Sequence, residues 1–193
     1  MLPNVPMDEV AARIVALQWL LQRSDVDAAV IRQNADLFYF TGTVQDAHLI
    51  VPAQGQPIFL VKRDVRRAES QSPVRPVVPL STVRELPRWL FQACGTESVK
   101  RVGMELDVLP TNTFFFYDER LLPKQQIVDV SGLIRQVRMI KSPWEIDMMR
   151  GTARLSRAVA DAVPGLLREG MSELELSIEL ERAARLSGHL GLI

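Results

Sequence analysis

Cysteine is almost missing from this sequence: Cys94 stands alone among 193 residues. No internal disulfide can form, which fits a reducing compartment. Cys94 closes the amphipathic run "ELPRWLFQACG", where a small buried hydrophobe is the better reading than a nucleophile. Histidine is nearly as scarce. His48 and His189 are far apart, and neither has carboxylates at ligand spacing around it. An excess of one charge is also lacking, because Lys plus Arg and Asp plus Glu number 23 each. That balance gives no overall pull toward nucleic acid or an anionic membrane, and neither is expected as a partner. The apolar runs fall far short of the roughly 20 residues that span a bilayer. The opening "MLPNVPMDEV" has no basic n-region and no apolar h-region, so no signal peptide is read and the expected location is cytoplasmic. Repeats and low-complexity segments are absent.

What is present is an ordinary globular composition, 47% hydrophobic and 24% charged, ample for a sizeable core. The length suits one large domain, or one domain and part of another. From Asp8 a helix is predicted with Val10, Ile14, Leu17 and Leu21 on one face. "VDAAVIR" (26–32) has strand length, and "NADLFYFTG" (34–42) reads as a loop or a single helical turn closed by Gly42. Residues 47–62 read as a hairpin around a Gln-Gly turn. "RDVRRAESQ" is a short polar helix, and "VRPVVPL" (74–80) an edge strand, since its prolines cannot donate to a ladder. A helix follows from Ser81, with Pro87 disturbing its interior. A strand (100–106), an aromatic helix (109–122) and a last strand (126–131) complete the series. Alternating strands and helices predict an α/β layer with a mixed sheet, the hairpin supplying its antiparallel part.

After Lys141 the character changes. In "RMIKSPWEIDMMR" (138–150), Ser142 suits the N-cap, Pro143 the first helical position and Glu145 the capping box. A helix is predicted over 143–163 with the stripe Ile146, Met149, Ala153, Ser156, Ala160, Val163, ended or kinked by Pro164 and Gly165. A second capping box, Ser172 to Glu175, opens a helix to about Leu186, with Gly188 at C′. Two helices with apolar stripes and no sheet beneath them do not make a domain. They are expected to pack on the preceding domain, pair with another copy or be poorly ordered.

Three stretches carry a resemblance. "IRQNADLFYFTG" resembles the N-terminal-domain signature of the creatinase/prolidase family, metallopeptidases with the pita-bread fold. "VDVSGLIRQVRMIKSPWEIDMMR" is similar to that family's domain junction, and "LREGMSELELSIELE" to the start of its second catalytic-domain helix. The resemblance spans about Asp8 to Gly188. It implies a creatinase-type N-terminal domain over 1–137, with a mixed β-sheet flanked by helices. A junction and the first two helices of an incomplete pita-bread catalytic domain, which is α+β, follow over 138–193.

The family's peptidases cleave the peptide bond preceding proline with two divalent metals, Mn, Co or Zn, that bridge a hydroxide. The family's ligands, two Asp, one His and two Glu, all lie beyond the position matching Ile193. The resemblance therefore implies no metal, cofactor or catalytic residue in this chain, and no hydrolysis by it alone. His189 matches a loop and not a ligand position. The apolar ending "GHLGLI" reads as an interruption where the family begins a catalytic strand.

The resemblance further implies a homodimer in which the N-terminal domain reaches the partner's cleft, with a proline-containing peptide as substrate of the full-length protein. By position Phe38, Tyr39, Gln45, Asp46 and His48 are the candidate contacts to that cleft or to the dimer. Competing readings stand beside each. At least one of Phe38, Tyr39 and Phe40 belongs to the core. His48 opens an apolar strand as a structural histidine does, and Asp46 suits a turn cap. Phe114, Phe115 and Phe116 lack interleaved basic residues, so core or dimer surface fits them better than a nucleic-acid platform. Arg63, Arg66 and Arg67 read as a solvated helix face with Asp64 and Glu69 as counter-charges. Two other functions remain open for the whole protein: a hydrolase of a small non-peptide C–N substrate, of the creatinase or ectoine hydrolase type, and a non-catalytic binding module.

Overall fold

The computed structural model describes residues 4–188. They fall into two units, one running to Ile140 and one from Lys141.

The first unit is a mixed sheet with helices on both faces. Its elements are α1 (Met7–Arg23), β1 (Ala28–Ile31), α2 (Asn34–Thr41), β2 (Ala47–Pro52), β3 (Ile58–Val61), α3 (Val65–Gln71), β4 (Val77–Pro79), α4 (Leu86–Cys94), β5 (Arg101–Met104), α5 (Thr111–Phe115), β6 (Gln126–Asp129) and α6 (Ser131–Met139). The strand order is β4-β3-β2-β1-β5-β6. β2 runs antiparallel to both neighbours, and every other pairing is parallel. The proline-containing strand β4 lies at the sheet margin, where a missing N–H donor is tolerated.

Side chains alternate between the two faces. Ala28, Val30, Ile50, Leu60, Val102 and Met104 join Leu86 and Leu90 of α4, together with Tyr117 and Leu121, in one buried cluster. Ala29, Ile31, Leu49, Val51, Phe59 and Val61 are buried on the other face, where α1 and α2 pack on β2. Strands β1 to β3 are thus covered on both sides, which is why they read as unbroken apolar runs. The α1 face Val10, Ile14, Leu17, Leu21 is buried as its spacing predicts.

Two carboxylates staple the β1–β5 seam from opposite ends. Asp27, just before β1, accepts the backbone N–H groups of Lys100 (2.7 Å) and Arg101 (2.8 Å) at the start of β5. Glu105, just after β5, accepts those of Arg32 (2.9 Å) and Gln33 (3.2 Å) just after β1. Beside them Gly103 permits a close approach: a Cβ there would stand 2.4 Å from Val130 Cγ1.

Three elements differ from their sequence reading. Residues 83–85 form a short 3₁₀ turn, so Pro87 falls in the first turn of α4 and starts that helix without disturbing it. The aromatic stretch is not one regular helix, because α5 passes into π-helical turns over Phe116–Leu121. That register buries Tyr117 and leaves Phe115 and Phe116 exposed, so the core takes the tyrosine and not these two phenylalanines. The segment 34–42 is a full helix, α2, closed by Gly42 in the left-handed region (φ 76°).

The second unit holds α7 (Pro143–Leu166) and α8 (Glu173–Leu186), which lie against each other. Both sequence-predicted capping boxes form, Ser142 with Glu145 and Ser172 with Glu175. Pro164 neither ends nor breaks α7, which runs two residues past it. So near the terminus the proline costs only one hydrogen bond, to Ala160. Neither helix contains a buried residue, and Ile146, Met149, Leu174 and Ile178 are exposed. His189 lies outside the described residues. Among the described residues no helix is long and apolar enough to cross a membrane.

Candidate functional site

Among the described residues β2 alone runs against the other strands, so the carboxyl ends of β1, β3 and β5 gather at the edge where β2 begins. The residues after β1, before β2 and after β3 are therefore neighbours, although they are scattered in sequence. The connection after β1 enters α2 on one face of the sheet, and that after β5 enters α5 on the other. Such a divergence opens a crevice in an α/β sheet.

α2 presents the aromatic triplet at this edge. Gln33 caps it by accepting the Asp36 N–H (2.9 Å), and the Gly42 N–H returns to the Phe38 carbonyl (2.8 Å). One helical turn then sends three adjacent rings in three directions. Phe40 is fully buried, and Phe38 is 48% exposed. Tyr39 is half-buried between the guanidinium groups of Arg13 (4.1 Å) and Arg138 (5.4 Å), and its hydroxyl donates to the Val137 carbonyl (3.4 Å). The triplet thus supplies one core residue, one clamped ring and one surface ring.

The other three candidates are more constrained. Gln45 is buried and donates from Nε2 to Thr43 Oγ1 (3.0 Å), which in turn donates to Gln71 Oε1 (2.6 Å). Asp46 faces solvent and pairs loosely with Lys62 (3.5 Å), so it does not cap a turn. His48 is buried with Nε2 2.5 Å from the Tyr117 hydroxyl, while Nδ1 has no hydrogen-bond partner. Burial, assisted by the Arg32 charge and opposed by Asp46, pushes its pKa down to about 4. The His48 ring is thus neutral and enclosed against a core tyrosine, whereas Phe38 and Asp46 are the solvent-facing members of the set.

A cleft of about 570 Å³ opens at this edge, walled by Arg32, Asn34, Gln45, Asp46, Arg63 and Arg67 among others. It brings Gln45 and Asp46 together, whereas Phe38, Tyr39 and His48 are not on its wall. A second cleft of about 320 Å³ lies at the divergence of β1 and β5, with Arg32 and Asn34 on one side and Glu105, Leu109 and Thr113 on the other. Arg32 borders both.

Glu105 escaped the sequence reading. It is 3% exposed, and its Oε1 has no hydrogen-bond donor while Oε2 accepts the two backbone N–H groups. Burial pushes its pKa up to about 7; the two N–H groups oppose this, and the Asp36 carboxylate within hydrogen-bonding reach reinforces it. Protonated, Glu105 shares its hydrogen with Asp36, which also holds an ion pair with Arg138. The available signal was a lone acid ending the apolar strand "KRVGMEL". Arg32, in the corresponding position after β1, was missed for the same reason.

This arrangement can be set beside known proteins. A profile of the creatinase/prolidase N-terminal domain matches residues 13–140. The chain belongs to that family. Along 91% of its length it is 26% identical to an uncharacterized hydrolase/peptidase, y4tL, of Sinorhizobium fredii, covering 49% of that protein. Along 94% it is 21% identical to the Xaa-Pro dipeptidase of Pyrococcus horikoshii, covering 50%. The solved structure of an Xaa-Pro dipeptidase from Bacillus anthracis superposes with a TM-score of 0.84 at 21% identity, over 94% of this chain and 50% of that one, and so shares the fold. The chain spans about half the length of the curated relatives it matches.

The family's N-terminal fold thus accounts for the mixed sheet flanked by helices. Among the described residues no group of three or more His, Cys, Asp or Glu side chains stands close enough together to hold a metal ion. Cys94 is half-buried, and burial with the nearby Asp27 charge pushes its thiol up to about 11, which keeps it un-ionised.

Proposed function

We propose that this chain is the N-terminal, non-catalytic portion of an Xaa-Pro metallopeptidase, of the prolidase or aminopeptidase P kind. The whole protein hydrolyses the peptide bond preceding proline with a dinuclear metal site. This portion serves folding, dimerisation and capping of the active site, in a cytoplasmic homodimer. The observation that carries the reading is the extent of the match. Nearly the whole chain aligns with half of a dipeptidase named for Xaa-Pro cleavage, and the fold agrees over the same span. Within that portion the surface ring Phe38 and the cleft residues Gln45 and Asp46 are the contacts proposed for a neighbouring active site.

The test is manganese-dependent hydrolysis of an Xaa-Pro dipeptide, run on this chain and on a longer protein that continues beyond Ile193. Activity confined to the longer protein is expected. In that protein Phe38→Ala should raise KM for the peptide severalfold with an unchanged melting temperature, since the ring is solvent-facing and its removal leaves no cavity. Silence of both proteins toward Xaa-Pro peptides would favour a small-molecule C–N hydrolase or a binding module. Hydrolysis by the short chain would place catalytic groups among the residues described above.

A further inference from the structure

The Arg63, Arg66, Arg67 cluster has an ordinary explanation, a solvated helix face neutralised by its own acids. Two acids, Asp46 and Asp64, stand on the wall of the same cleft as the arginines, and each has a partner of its own. Asp64 accepts the Arg67 backbone N–H (3.1 Å) and so caps α3, Asp46 is paired with Lys62, and the side chain of Glu69 neutralises no arginine of the cluster. Of the cations, Arg67 is held in place by the Val44 carbonyl (3.0 Å) and Gln71 Oε1 (3.2 Å). The guanidinium groups of Arg32 and Arg63 make neither a hydrogen bond nor an ion pair among the described residues. Arg32, Arg63 and Arg67 border the same 570 Å³ cleft, and Arg66 does not.

The topology explains the convergence. Arg32 follows β1 and Arg63 follows β3, two strands that run the same way on either side of β2. Arg67 stands one turn into α3, which leaves the same edge. Three arginines outnumber the two carboxylates, Asp46 and Asp64, on the wall of this cleft, and Asp46 is shared with Lys62, so the wall keeps an excess of positive charge that an anion would offset. The planar N–H fork suits an oxyanion better than a halide.

We propose that this cleft is an oxyanion-binding site in which Arg32, Arg63 and Arg67 hold a small carboxylate or phosphate, with Asn34 as a further polar wall. The site does not depend on the peptidase reading, because it needs only this chain's own residues.

The experiment is a titration of the 193-residue chain followed by backbone amide NMR shifts. Inorganic phosphate is the probe in one arm and acetate in the other, at ionic strength fixed with sodium chloride. Saturable shifts centred on residues 32–34, 44–47 and 63–67 are expected in at least one arm. Arg63→Gln should weaken binding roughly tenfold, the loss of one charge-assisted contact. Arg32→Gln should act similarly, and Arg66→Gln should change it little. Arg63 is exposed, so its variant tests the site even if Arg32→Gln disturbs the fold. Saturation by phosphate alone identifies a tetrahedral dianion as the ligand, and saturation by acetate a carboxylate. Shifts that stay linear in both arms, or that are the same in Arg63→Gln, overturn the proposal.

Discussion

Two enclosed side chains titrate in opposite senses. Glu105 is raised to about 7 in the folded chain from an ordinary 4.5, so the folded state holds its proton more tightly than the unfolded one. Its contribution to stability is complete below pH 4.5 and is lost as the pH rises toward 7. His48 is lowered to about 4 from 6.5, so its contribution is complete above pH 6.5 and is lost as the pH falls toward 4. Between pH 4.5 and 6.5 the two slopes oppose each other. Glu105→Gln keeps an oxygen for the two backbone N–H groups and a donor for Asp36. Its stability should rise with pH over that range, and that of His48→Gln should fall. Urea midpoints taken from pH 4.5 to 7.5 check both, and parallel profiles for the two variants would contradict the assignment. Sterics dominate at Gly103. Gly103→Ala should cost about 1–3 kcal/mol by overpacking against Val130, and Val130→Ala in the same chain should restore part of it, both read from denaturant unfolding.

Among the elements, those specified by local signals were legible. α1 was readable from four apolar positions at helical spacing, and β2–β3 from two runs about a Gln-Gly turn. α7 and α8 were readable because Ser, Pro and Glu at fixed offsets satisfy backbone N–H groups that nothing else reaches. The failures were of register. Pro87 reads as an interruption only if the helix begins at Ser81; a 3₁₀ turn ahead of α4 shifts the start and makes the same proline favourable. The wider turns at Phe116–Leu121 carry no composition signal; within them Tyr117 is buried against His48, a partner 69 positions away. The box opening α8 gives a direct check. Ser172→Ala removes the acceptor of the Glu175 N–H and should cost that helix about 1 kcal/mol. Faster amide exchange at residues 173–176, with the sheet unaffected, is the expected observation.

At the scale of the whole molecule, every buried residue among those described lies at or before Ile134. A chain ended at Ile140 should therefore unfold cooperatively, with a melting temperature within about 5 °C of the 193-residue chain; differential scanning calorimetry decides it. The sheet's composition and its antiparallel part were legible in the sequence, since apolar runs and turns are local. The clefts were not. Arg32 and Arg63 meet only because β1 and β3 run the same way, and Glu105 reaches the β1–α2 turn across 73 positions.

The same long reach has a kinetic consequence. Strands β1 to β4 join through connections short enough to close early, whereas β5 must return to β1 after the chain has made α3, β4 and α4. That search is the slow step expected of a non-local parallel pairing, and the unpaired edge of β1 stays open to other chains until it ends. Asp27 and Glu105 answer it from both sides. A slip of two residues would keep the apolar pattern in phase but strand both carboxylates from their four N–H partners, so together they act as a register lock on the joining of β5 to β1.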